Sequence, residues 1–321
     1  MTSRSLFRLG QHLIGKASTY RIAEQLSDFV YFAVYRDILN RFQARTPTVR
    51  PLLDEIEDAA EPPAIILKYL DDDVTRASRK QRLTRQEIKY VARNVLEALR
   101  VLHEDGYVHT DIKPSNILVN YGTGERRFSE VQLADCGGVV SVNSEFAKDG
   151  VLTGTSLFRA PEVHLEMPWG TAADIWSFGV TLINLIWGLD FHIFEPADVE
   201  EGDEMYDTQI VINQHQWFGP FPISCKEIAD KDTQEAIVGI MSMVPPEKLK
   251  PFQYVGEREI SGADKVFVLK IMKLDPRDRP SAAEPLRDDW FTEQSERTVG
   301  WYSKDEWEQI KAKKTGKIAS D

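Results

Sequence analysis

Apolar residues recur at helical spacing in one long stretch between residues 84 and 106. Thr84 and Glu87 are three positions apart, which is typical of a capping box at a helix N-terminus. Apolar residues then follow at every third or fourth position, namely Ile88, Val91, Val95, Leu99 and Leu102. This period indicates an amphipathic helix, and Gly106 is the expected place for it to end. We therefore predict a long helix whose apolar face packs against a core.

A second stretch, residues 172–187, is apolar on nearly all sides. Thr171 can cap its N-terminus, and Gly188 can end it. A helix without a polar face belongs in the interior of a domain. Asp174, near its start, would then be a buried charge, which is costly unless the carboxylate is hydrogen-bonded.

Strand patterns occupy the first 70 residues. Residues 20–26 alternate between apolar and polar side chains, and residues 29–34 are β-branched and aromatic, so together they predict a hairpin. Residues 65–70 predict a further strand. Four prolines lie between positions 47 and 63, which indicates a loop-rich connection.

The predicted elements divide the chain into three parts. Residues 1–70 form a strand-rich unit, residues 71–292 form a helical unit, and residues 293–321 form a charged tail in which a short helix could begin at Ser303. The last two helices of the helical unit are predicted over residues 264–273 and 281–291. Strands followed by helices are typical of an α+β fold.

The composition is that of an ordinary globular protein, with 42% hydrophobic and 28% charged residues. The net charge of −12 argues against direct nucleic-acid binding and favours a basic partner. No stretch reaches the roughly 18 apolar residues that a membrane span needs. The most apolar run, residues 180–189, is interrupted by Asn184 and Gly188. We expect a monomer that neither enters a membrane nor binds nucleic acid directly.

Cysteine usage indicates the compartment. Cys136 and Cys225 form neither a disulfide framework nor a zinc pattern, which indicates a reducing environment, so we expect the cytoplasm, the nucleus or both. The first 23 residues contain four basic and no acidic residues, a composition that also fits a mitochondrial presequence. The strand pattern that begins at Tyr20 favours the alternative, a basic extension ahead of the first domain.

Candidate chemistry is concentrated in residues 109–119, H-T-D-I-K-P-S-N-I-L-V. Asp111, Lys113 and Asn116 precede an apolar run that can anchor the loop. Phosphoryl transfer needs a carboxylate to orient the attacking hydroxyl, a cation to offset charge on the phosphoryl group, and a neutral oxygen ligand for Mg²⁺. A second carboxylate should follow downstream as the main metal ligand, and Asp135 in A-D-C-G-G fills that place.

These residues resemble the catalytic loop and the metal-binding loop of eukaryotic protein kinases, H-R-D-x-K-x-x-N followed by D-F-G. Four further elements follow in family order: Gly154-Thr155, A-P-E at 160–162, D-I-W-S-F-G at 174–179 and D-R-P at 278–280. The resemblance covers residues 60–292. Thr110 in place of the usual arginine, followed by D-I-K-P, narrows it to the SR-protein kinases and their fungal relatives.

The resemblance implies a two-lobed α+β protein-kinase fold that transfers the γ-phosphate of ATP to a serine or threonine of a protein. ATP and Mg²⁺ would bind between the lobes. Asp111 would orient the substrate hydroxyl, and Lys113 would stabilise the transferred phosphoryl group. The other implied roles are Mg²⁺ binding by Asn116 and Asp135, adenine binding by the hinge at Leu67 and Leu70, a substrate pocket at Thr155, and structural support from Glu162, Asp174 and Arg279.

The resemblance also implies a substrate class, because SR-protein kinases dock arginine/serine-rich segments in an acidic groove. Residues 195–207 contain seven acidic residues and could form such a groove, with a solvated charged loop as an equal alternative. Asp71-Asp72-Asp73 could similarly meet ribose or a basic substrate, or form a solvated cluster. Thr110 removes the arginine that binds a phosphorylated activation segment in many kinases, so a phosphate switch is not expected.

The N-terminal part departs from the family pattern. Ser27-Asp28 replaces the glycine-rich loop that covers the ATP phosphates. The phosphate-binding lysine of the third strand is missing, because Lys16 and Lys68, the only lysines in residues 1–70, lie before the first strand and in the hinge. A stretch as long as one strand and the start of a helix is absent at Tyr35/Arg36, together with the glutamate that the lysine should pair with.

Three interpretations of this pattern remain open. The chain could be a kinase whose full product contains the missing strand, lost here through a splicing or gene-prediction error. It could instead be a pseudokinase or scaffold that does not catalyse ATP-dependent transfer. The third interpretation is a small-molecule phosphotransferase, but that group lacks the A-P-E element and the arginine found here at position 279.

Overall fold

The computed structural model describes residues 12–21, 33–57, 64–188 and 190–293. The predicted tail helix at Ser303 lies outside these residues. The first described elements are β1 (His12–Ile14), β2 (Thr19–Arg21), α1 (Ala33–Phe42), β3 (Leu52–Glu55) and β4 (Ile65–Leu67). Next come β5 (Asp72–Asp73), α2 (Val74–Lys80), α3 (Arg85–Glu104), β6 (Tyr107–Val108), β7 (Ile117–Tyr121), β8 (Phe128–Leu133) and β9 (Val140–Ser141). The rest is helical, with α4 (Glu145–Lys148), α5 (Pro161–His164), α6 (Thr171–Trp187), α7 (Tyr206–Phe218), α8 (Lys231–Met243) and α9 (Gly262–Ile271).

Two antiparallel strand pairs lie in the described N-terminal part. β1 pairs with β2, and Leu13 lies opposite Tyr20. β3 pairs with β4, which confirms the strand predicted from residue 65, although it ends at residue 67. An isolated bridge between Gly15 and Ile56 joins the two pairs.

Helix α1 corrects part of the predicted hairpin. The predicted strand 29–34 is wrong at its end, because its last two residues form the first turn of α1. The helix buries Ile38, Leu39 and Phe42. These apolar residues, spaced as on one face of a helix, outweigh the β-branched and aromatic composition of residues 29–34, which favours a strand. The rest of the predicted hairpin, residues 22–32, lies outside the described residues.

Helix α3 confirms the long helix predicted from the apolar period. The Thr84 hydroxyl accepts a hydrogen bond from the Glu87 N–H, and the Glu87 carboxylate accepts one from the Thr84 N–H, so the capping box is complete. The whole predicted stripe is buried. Gly106 follows with φ +75°, a left-handed conformation that costs glycine little. The chain therefore turns directly into β6, which leads to the candidate loop.

Helix α6 lies in the interior, as its apolar sequence predicts. Residues 173–186 are all buried, and the helix contacts α3 and α9. Gly188, at φ +67°, ends the helix as expected. Thr171 is not the cap, however, because it is the first helical residue, and Gly170 precedes it without a side-chain hydrogen bond. Neither α6 nor any other helix in the described ranges is long and apolar enough to cross a membrane.

The two helices predicted near the C-terminus have different outcomes. α9 confirms the helix predicted over residues 264–273, displaced by two residues. Residues 281–291 are not a helix but contain short 3₁₀ turns. Pro285 starts one of these turns and cannot donate a helical hydrogen bond. The indole of Trp290 donates to Asp264 at 2.6 Å, a tertiary contact that fixes this segment.

A three-stranded sheet in the order β5, β7, β8 carries the segment with the candidate chemistry. Ile117 at the start of β7 lies opposite Leu133 at the end of β8. β6 pairs with β9, with Tyr107 opposite Ser141. These two pairings bring residues 109–116 next to the turn that follows β8.

Candidate active site

The loop between β6 and β7 is held by Asp174, the buried carboxylate of α6. Oδ2 of Asp174 accepts the His109 N–H at 2.7 Å, and Oδ1 accepts the Thr110 N–H at 2.9 Å. His103 Nε2 lies 2.9 Å from Oδ2. Asp174 is only 1% exposed, and a buried carboxylate is costly unless it is hydrogen-bonded. These bonds meet that need. They also hold Thr110 at φ +75°, a conformation that a β-branched residue rarely adopts.

His109 is a structural residue of this loop. It is fully buried, and its Nε2 lies 3.0 Å from the Ala134 carbonyl oxygen. Its Nδ1 accepts the Asp111 N–H at 3.4 Å. Since a carbonyl oxygen can only accept, Nε2 carries the proton. The imidazole therefore ties the candidate loop to the residues after β8.

Asp111 receives hydrogen bonds from three directions. Oδ1 accepts the Thr155 hydroxyl at 2.8 Å and the Thr155 N–H at 3.1 Å. Oδ2 lies 2.7 Å from Lys113 Nζ and 2.9 Å from Asn116 Nδ2. Lys113 Nζ also donates to the Thr155 hydroxyl at 2.8 Å. The structure thus brings together four of the residues singled out from the sequence.

The electrostatics of this cluster keep Asp111 ionised. Burial raises the pKa of the Asp111 carboxyl, but the hydrogen bond and charge of Lys113 outweigh it, with further hydrogen bonds from Thr155 and Asn116. The net effect is a pKa below the usual value for aspartate. A carboxylate that stays ionised can accept a hydrogen bond from a hydroxyl at neutral pH.

Asn116 and Asp135 form the part of the site that can take a metal ion. Asn116 donates its amide to the Asp111 carbonyl oxygen at 2.8 Å, which leaves its own side-chain oxygen as the remaining ligand atom. The Ala134 N–H donates to the Asn116 carbonyl oxygen at 2.8 Å. Asp135 comes next, with an exposed carboxylate that does not cap the following turn. Oxygen ligands of this kind, with one carboxylate, fit Mg²⁺, which usually completes its shell with phosphate and water.

Gly154 explains how Thr155 can lie so close to Asp111. Gly154 has φ +72°, and a Cβ there would lie 2.4 Å from the Thr110 carbonyl oxygen. Only glycine permits that close approach without displacing the backbone. The segment before Thr155 is thus packed directly on the candidate loop.

A buried ion pair connects α5 to the segment after α9. Arg279 donates from its two terminal nitrogens to the two oxygens of Glu162, both at 2.7 Å. It also donates to the Ala172 carbonyl oxygen at 2.9 Å and lies over the Trp176 ring at 5.1 Å. The paired contacts expected for Glu162 and Arg279 are therefore present, with the guanidinium fully hydrogen-bonded.

The predicted hinge lies between β4 and β5. Leu67 ends β4, and Leu70 is buried. Between them, the Lys68 N–H donates to the Pro51 carbonyl oxygen at 3.1 Å, and the Lys68 carbonyl oxygen accepts Arg50 Nε at 2.7 Å. β5 pairs with β7, so the hinge segment and the candidate loop are joined through one sheet.

The two lysines of the described N-terminal part are bound to carboxylates outside the candidate loop. Lys16 pairs with Glu55 at 2.7 Å, and Lys68 pairs with Glu130 at 2.6 Å. The Asp37 carboxylate of α1 is 70% exposed. Within the described ranges, the structure therefore lacks the pair between a strand lysine and a helix carboxylate that the sequence also lacks.

The carboxylates of Asp71, Asp72 and Asp73 accept hydrogen bonds from other residues of the chain. This differs from both predicted alternatives, which were contact with ribose or a basic substrate and a solvated cluster. Asp72 accepts hydrogen bonds from Lys80 at 2.7 Å and from the Tyr121 hydroxyl at 2.8 Å. Asp73 caps α2, and Asp71 accepts the Tyr121 N–H at 2.9 Å. These three carboxylates fix the start of α2.

The acidic stretch 195–207 is a loop up to residue 205, and its last two residues begin α7. Two of its seven carboxylates are used internally, because Asp203 accepts the Met205 N–H and Asp207 pairs with Arg159 at 3.0 Å. The other five are exposed, namely Glu195, Asp198, Glu200, Glu201 and Glu204. They leave an acidic surface that could meet a basic partner.

Arg159 is a site residue that no sequence pattern indicates. It donates to the carbonyl oxygens of Thr153 and Gly154 at 2.8 and 2.9 Å, next to Thr155. Its position between Thr155 and the A-P-E element was the only available signal. The bonds themselves depend on how the chain folds back, which spacing does not give.

Comparison with known proteins gives one family over most of the chain. The family described as "Protein kinase domain" matches residues 36–291. CTD kinase subunit alpha of Schizosaccharomyces pombe is 30% identical over 235 residues, which are 72% of this chain and 36% of that protein. Serine/threonine-protein kinase PAK 5 of Rattus norvegicus is 35% identical over 133 residues, 41% of this chain and 18% of that protein. The chain thus matches only about a third of the first relative and less of the second.

A solved structure shows the same fold. The crystal structure of the yeast RNA Pol II CTD kinase CTDK-1 complex contains a chain that superposes with a TM-score of 0.65. The match covers 84% of this chain and 85% of the other, at 19% sequence identity. At that identity the likeness concerns the fold alone.

Proposed function

The chain belongs to the protein kinase domain family, and from this premise we propose that it is a serine/threonine protein kinase. It would transfer the γ-phosphate of ATP to a hydroxyl of a protein substrate. The observation that carries the proposal is the contact set around Asp111, whose carboxylate lies 2.7 Å from Lys113 Nζ and 2.8 Å from the Thr155 hydroxyl. The match of residues 36–291 and the serine/threonine kinases among the relatives support it.

Each residue of the cluster has a chemical task in this proposal. Asp111 accepts a hydrogen bond from the substrate hydroxyl and orients it for attack. Lys113 offsets the negative charge on the transferred phosphoryl group. Asn116 and Asp135 would hold Mg²⁺, which neutralises charge on the ATP phosphates when bound.

The nucleotide would bind between residues 1–70 and residues 71–292, which we propose as the two lobes, with residues 293–321 as a tail. Backbone groups from Leu67 to Leu70 would contact the adenine. Since Arg50 already donates to the Lys68 carbonyl oxygen, adenine recognition would depend on the second acceptor site of that carbonyl and on the backbone of Leu70.

The finer proposal concerns the protein substrate. The five exposed carboxylates in residues 195–204 support a basic, arginine/serine-rich substrate of the kind that SR-protein kinases phosphorylate. A peptide from the C-terminal domain of RNA polymerase II is the second substrate to test, since one relative is named a CTD kinase. Thr155 and Lys113, which share a hydrogen bond, favour a serine or threonine acceptor over tyrosine.

A second candidate function rests on one specific observation. Lys16 pairs with Glu55 and Lys68 with Glu130, so neither lysine of the described N-terminal part pairs with a carboxylate of α1, as the phosphate-binding lysine of the family does with its helix. A pseudokinase or scaffold would share this feature. The intact set around Asp111 and the enzymes among the relatives favour the catalyst.

A phosphotransfer assay separates the two. The chain is incubated with Mg-ATP and an arginine/serine-rich peptide, alongside Asp111→Asn and the matched variant Asp232→Asn, whose exposed carboxylate lies in the first turn of α8. We expect incorporation by the chain and by Asp232→Asn, and a loss of at least about a hundredfold in Asp111→Asn. Incorporation no higher than in Asp111→Asn would reject the kinase proposal for this chain and leave the scaffold.

A further inference from the structure

We propose that Asp207, at the start of α7, is a positioning residue that sets the substrate-hydroxyl pocket through Arg159. The inference rests on the proposed kinase function for its consequence, but its structural part can be tested without catalysis. Asp207 lies 52 residues after Thr155 and makes no contact with Asp111 among those found in the described residues, so the link is indirect.

Arg159 is the connecting side chain. It is 10% exposed, and Nη1 donates to Asp207 Oδ2 at 3.0 Å. Nε and Nη2 donate to the carbonyl oxygens of Thr153 and Gly154. These are the two residues directly before Thr155, whose hydroxyl and N–H both bond Asp111. The orientation of one guanidinium thus determines where the pocket backbone lies.

Other side chains also bond the carbonyls of this segment. Gln214 of α7, which is fully buried, donates its amide to the Arg159 carbonyl oxygen at 2.9 Å. His164 of α5 lies 3.0 Å from the Ser156 carbonyl oxygen through Nε2. The Ser177 hydroxyl of α6 donates to the Phe158 carbonyl oxygen at 2.8 Å. Five carbonyls of residues 153–159 are therefore bonded by side chains, and α7 supplies or anchors three of those bonds.

The contact between His164 and Asp207 points to a positioning task. His164 Nε2 must carry a proton to donate to a carbonyl, so Nδ1 presents a lone pair. Nδ1 lies 3.8 Å from Asp207 Oδ1, also an acceptor, and both atoms are buried without a hydrogen-bond partner. Burial and the neighbouring Arg159 cation lower the pKa of His164, so the ring stays neutral.

Two facing acceptors are not the arrangement that stability alone would select, because buried polar atoms are normally paired. An asparagine at position 207 would remove the conflict. Its carbonyl oxygen could accept from Arg159, and its amide could donate to His164 Nδ1. Asp207→Asn therefore keeps the positioning bond, whereas Asp207→Ala removes it.

The experiment compares Asp207→Ala, Asp207→Asn and Asp232→Ala in the full chain. Asp232 is exposed and is the second residue of α8, as Asp207 is of α7, so Asp232→Ala removes the same charge from the same position of another helix. Amide hydrogen exchange is followed in peptides covering residues 153–159, and, if the chain is active, KM is measured separately for peptide and ATP. We expect Asp207→Ala to speed exchange at residues 153–159 about tenfold, since it loses a hydrogen bond between charged groups. KM for the peptide should rise by a similar factor with KM for ATP unchanged.

Asp207→Asn should return both values towards those of the unaltered chain, and Asp232→Ala should not change them. Exchange in Asp207→Ala equal to that in Asp232→Ala would overturn the inference. Faster exchange spread evenly over α5 and α7, without rescue by Asp207→Asn, would also overturn it, because loss of packing gives that result. A chain without phosphotransfer but with the expected exchange pattern would reject the kinase proposal and retain the positioning role.

Discussion

At Asp111 three neighbouring side chains share two carboxylate oxygens, and this sharing sets the chemistry of the site. Lys113 and Thr155 bond each other as well as Asp111. Asn116 closes the loop by bonding both the carboxylate and the carbonyl oxygen of Asp111. Each donor restricts the others, so the carboxylate has one preferred orientation before any substrate arrives. Preorganisation of this kind is what allows a charge to act in a transition state.

Gly154→Ala should remove activity with little loss of stability elsewhere. The added Cβ would meet the Thr110 carbonyl oxygen at 2.4 Å and strain a backbone at φ +72°. A displacement of about 1 Å at Thr155 can lower the rate about a hundredfold. The measurement is the phosphotransfer rate of the purified variant.

The matched control is Gly239→Ala in α8, where a new Cβ meets nothing within 4 Å. It should leave the rate unchanged and stabilise the helix by about 0.5–1 kcal/mol. Equal rates in the two variants would show that the close approach at Gly154 does not position Thr155.

Asp275 should give the protein a pH-dependent stability at acid pH. The hydrogen bond from Arg277, opposed by burial and aided by Ser224, lowers the pKa of Asp275 to about 2 from 3.8. Because the folded pKa is the lower one, the ionised carboxylate stabilises the fold above about pH 4. The contribution, about 2 kcal/mol, is lost as the pH falls through about 2.

The check is urea denaturation of the chain and of Asp275→Asn at pH 7 and pH 3. The difference in free energy of unfolding between them should be smaller at pH 3. A difference that is the same at both values would contradict the assigned cause.

At the scale of elements, a helix was predictable where the sequence carries a strong signal, such as the apolar stripe of α3 or the continuous apolar run of α6. α3 carries a capping box and a regular stripe, and both are present. α7 and α8 have apolar residues without a regular stripe, and no helix was predicted for either segment. Tertiary contacts stabilise such helices, because propensity alone is a weak prior.

Arg279→Ala should destabilise the contact between α5 and the segment after α9. Removing one partner leaves the Glu162 carboxylate buried without a counter-charge, which costs about 3–5 kcal/mol. Arg279→Lys keeps the charge but loses the paired geometry with Glu162 and the packing over Trp176, so it should be intermediate. Chemical denaturation of each variant gives the free energy of unfolding.

The control is Arg258→Ala, because Arg258 is exposed. The free energy of unfolding of Arg258→Ala should lie within about 0.5 kcal/mol of that of the unaltered chain. If Arg279→Ala and Arg258→Ala had the same stability, the buried pair would not be holding α5 in place.

For the whole molecule, α6 is the centre around which the helical part is built. It contacts α3 and α9, and its Asp174 binds the candidate loop. The candidate loop is therefore held by the most buried helix of the described chain. The strand-containing N-terminal part contacts the rest of the chain through α1, which packs against residues 136–138, and through the bridge between Val49 and Leu133.

Nucleotide binding by the whole chain is best tested by a thermal melt with and without Mg-ATP. A ligand at about 100 times its dissociation constant stabilises the folded state by about 2.7 kcal/mol, enough to raise the melting midpoint by several degrees. We expect a rise that requires Mg²⁺ and is reduced in Asp135→Asn. Absence of a rise at millimolar ATP would mean that the chain does not form the nucleotide site, in line with the missing lysine.

The sequence by itself determined the order and local geometry of the candidate loop, the two main helices and the family. Asp111, Lys113 and Asn116 lie within six residues, so covalent spacing alone places them in one turn. Only the tertiary structure decided that Asp174 bonds the loop backbone, that Arg159 reaches Asp207, and that residues 281–291 end in turns around Trp290. Those contacts join residues far apart in the chain, and their geometry depends on how whole helices pack, which no local pattern encodes.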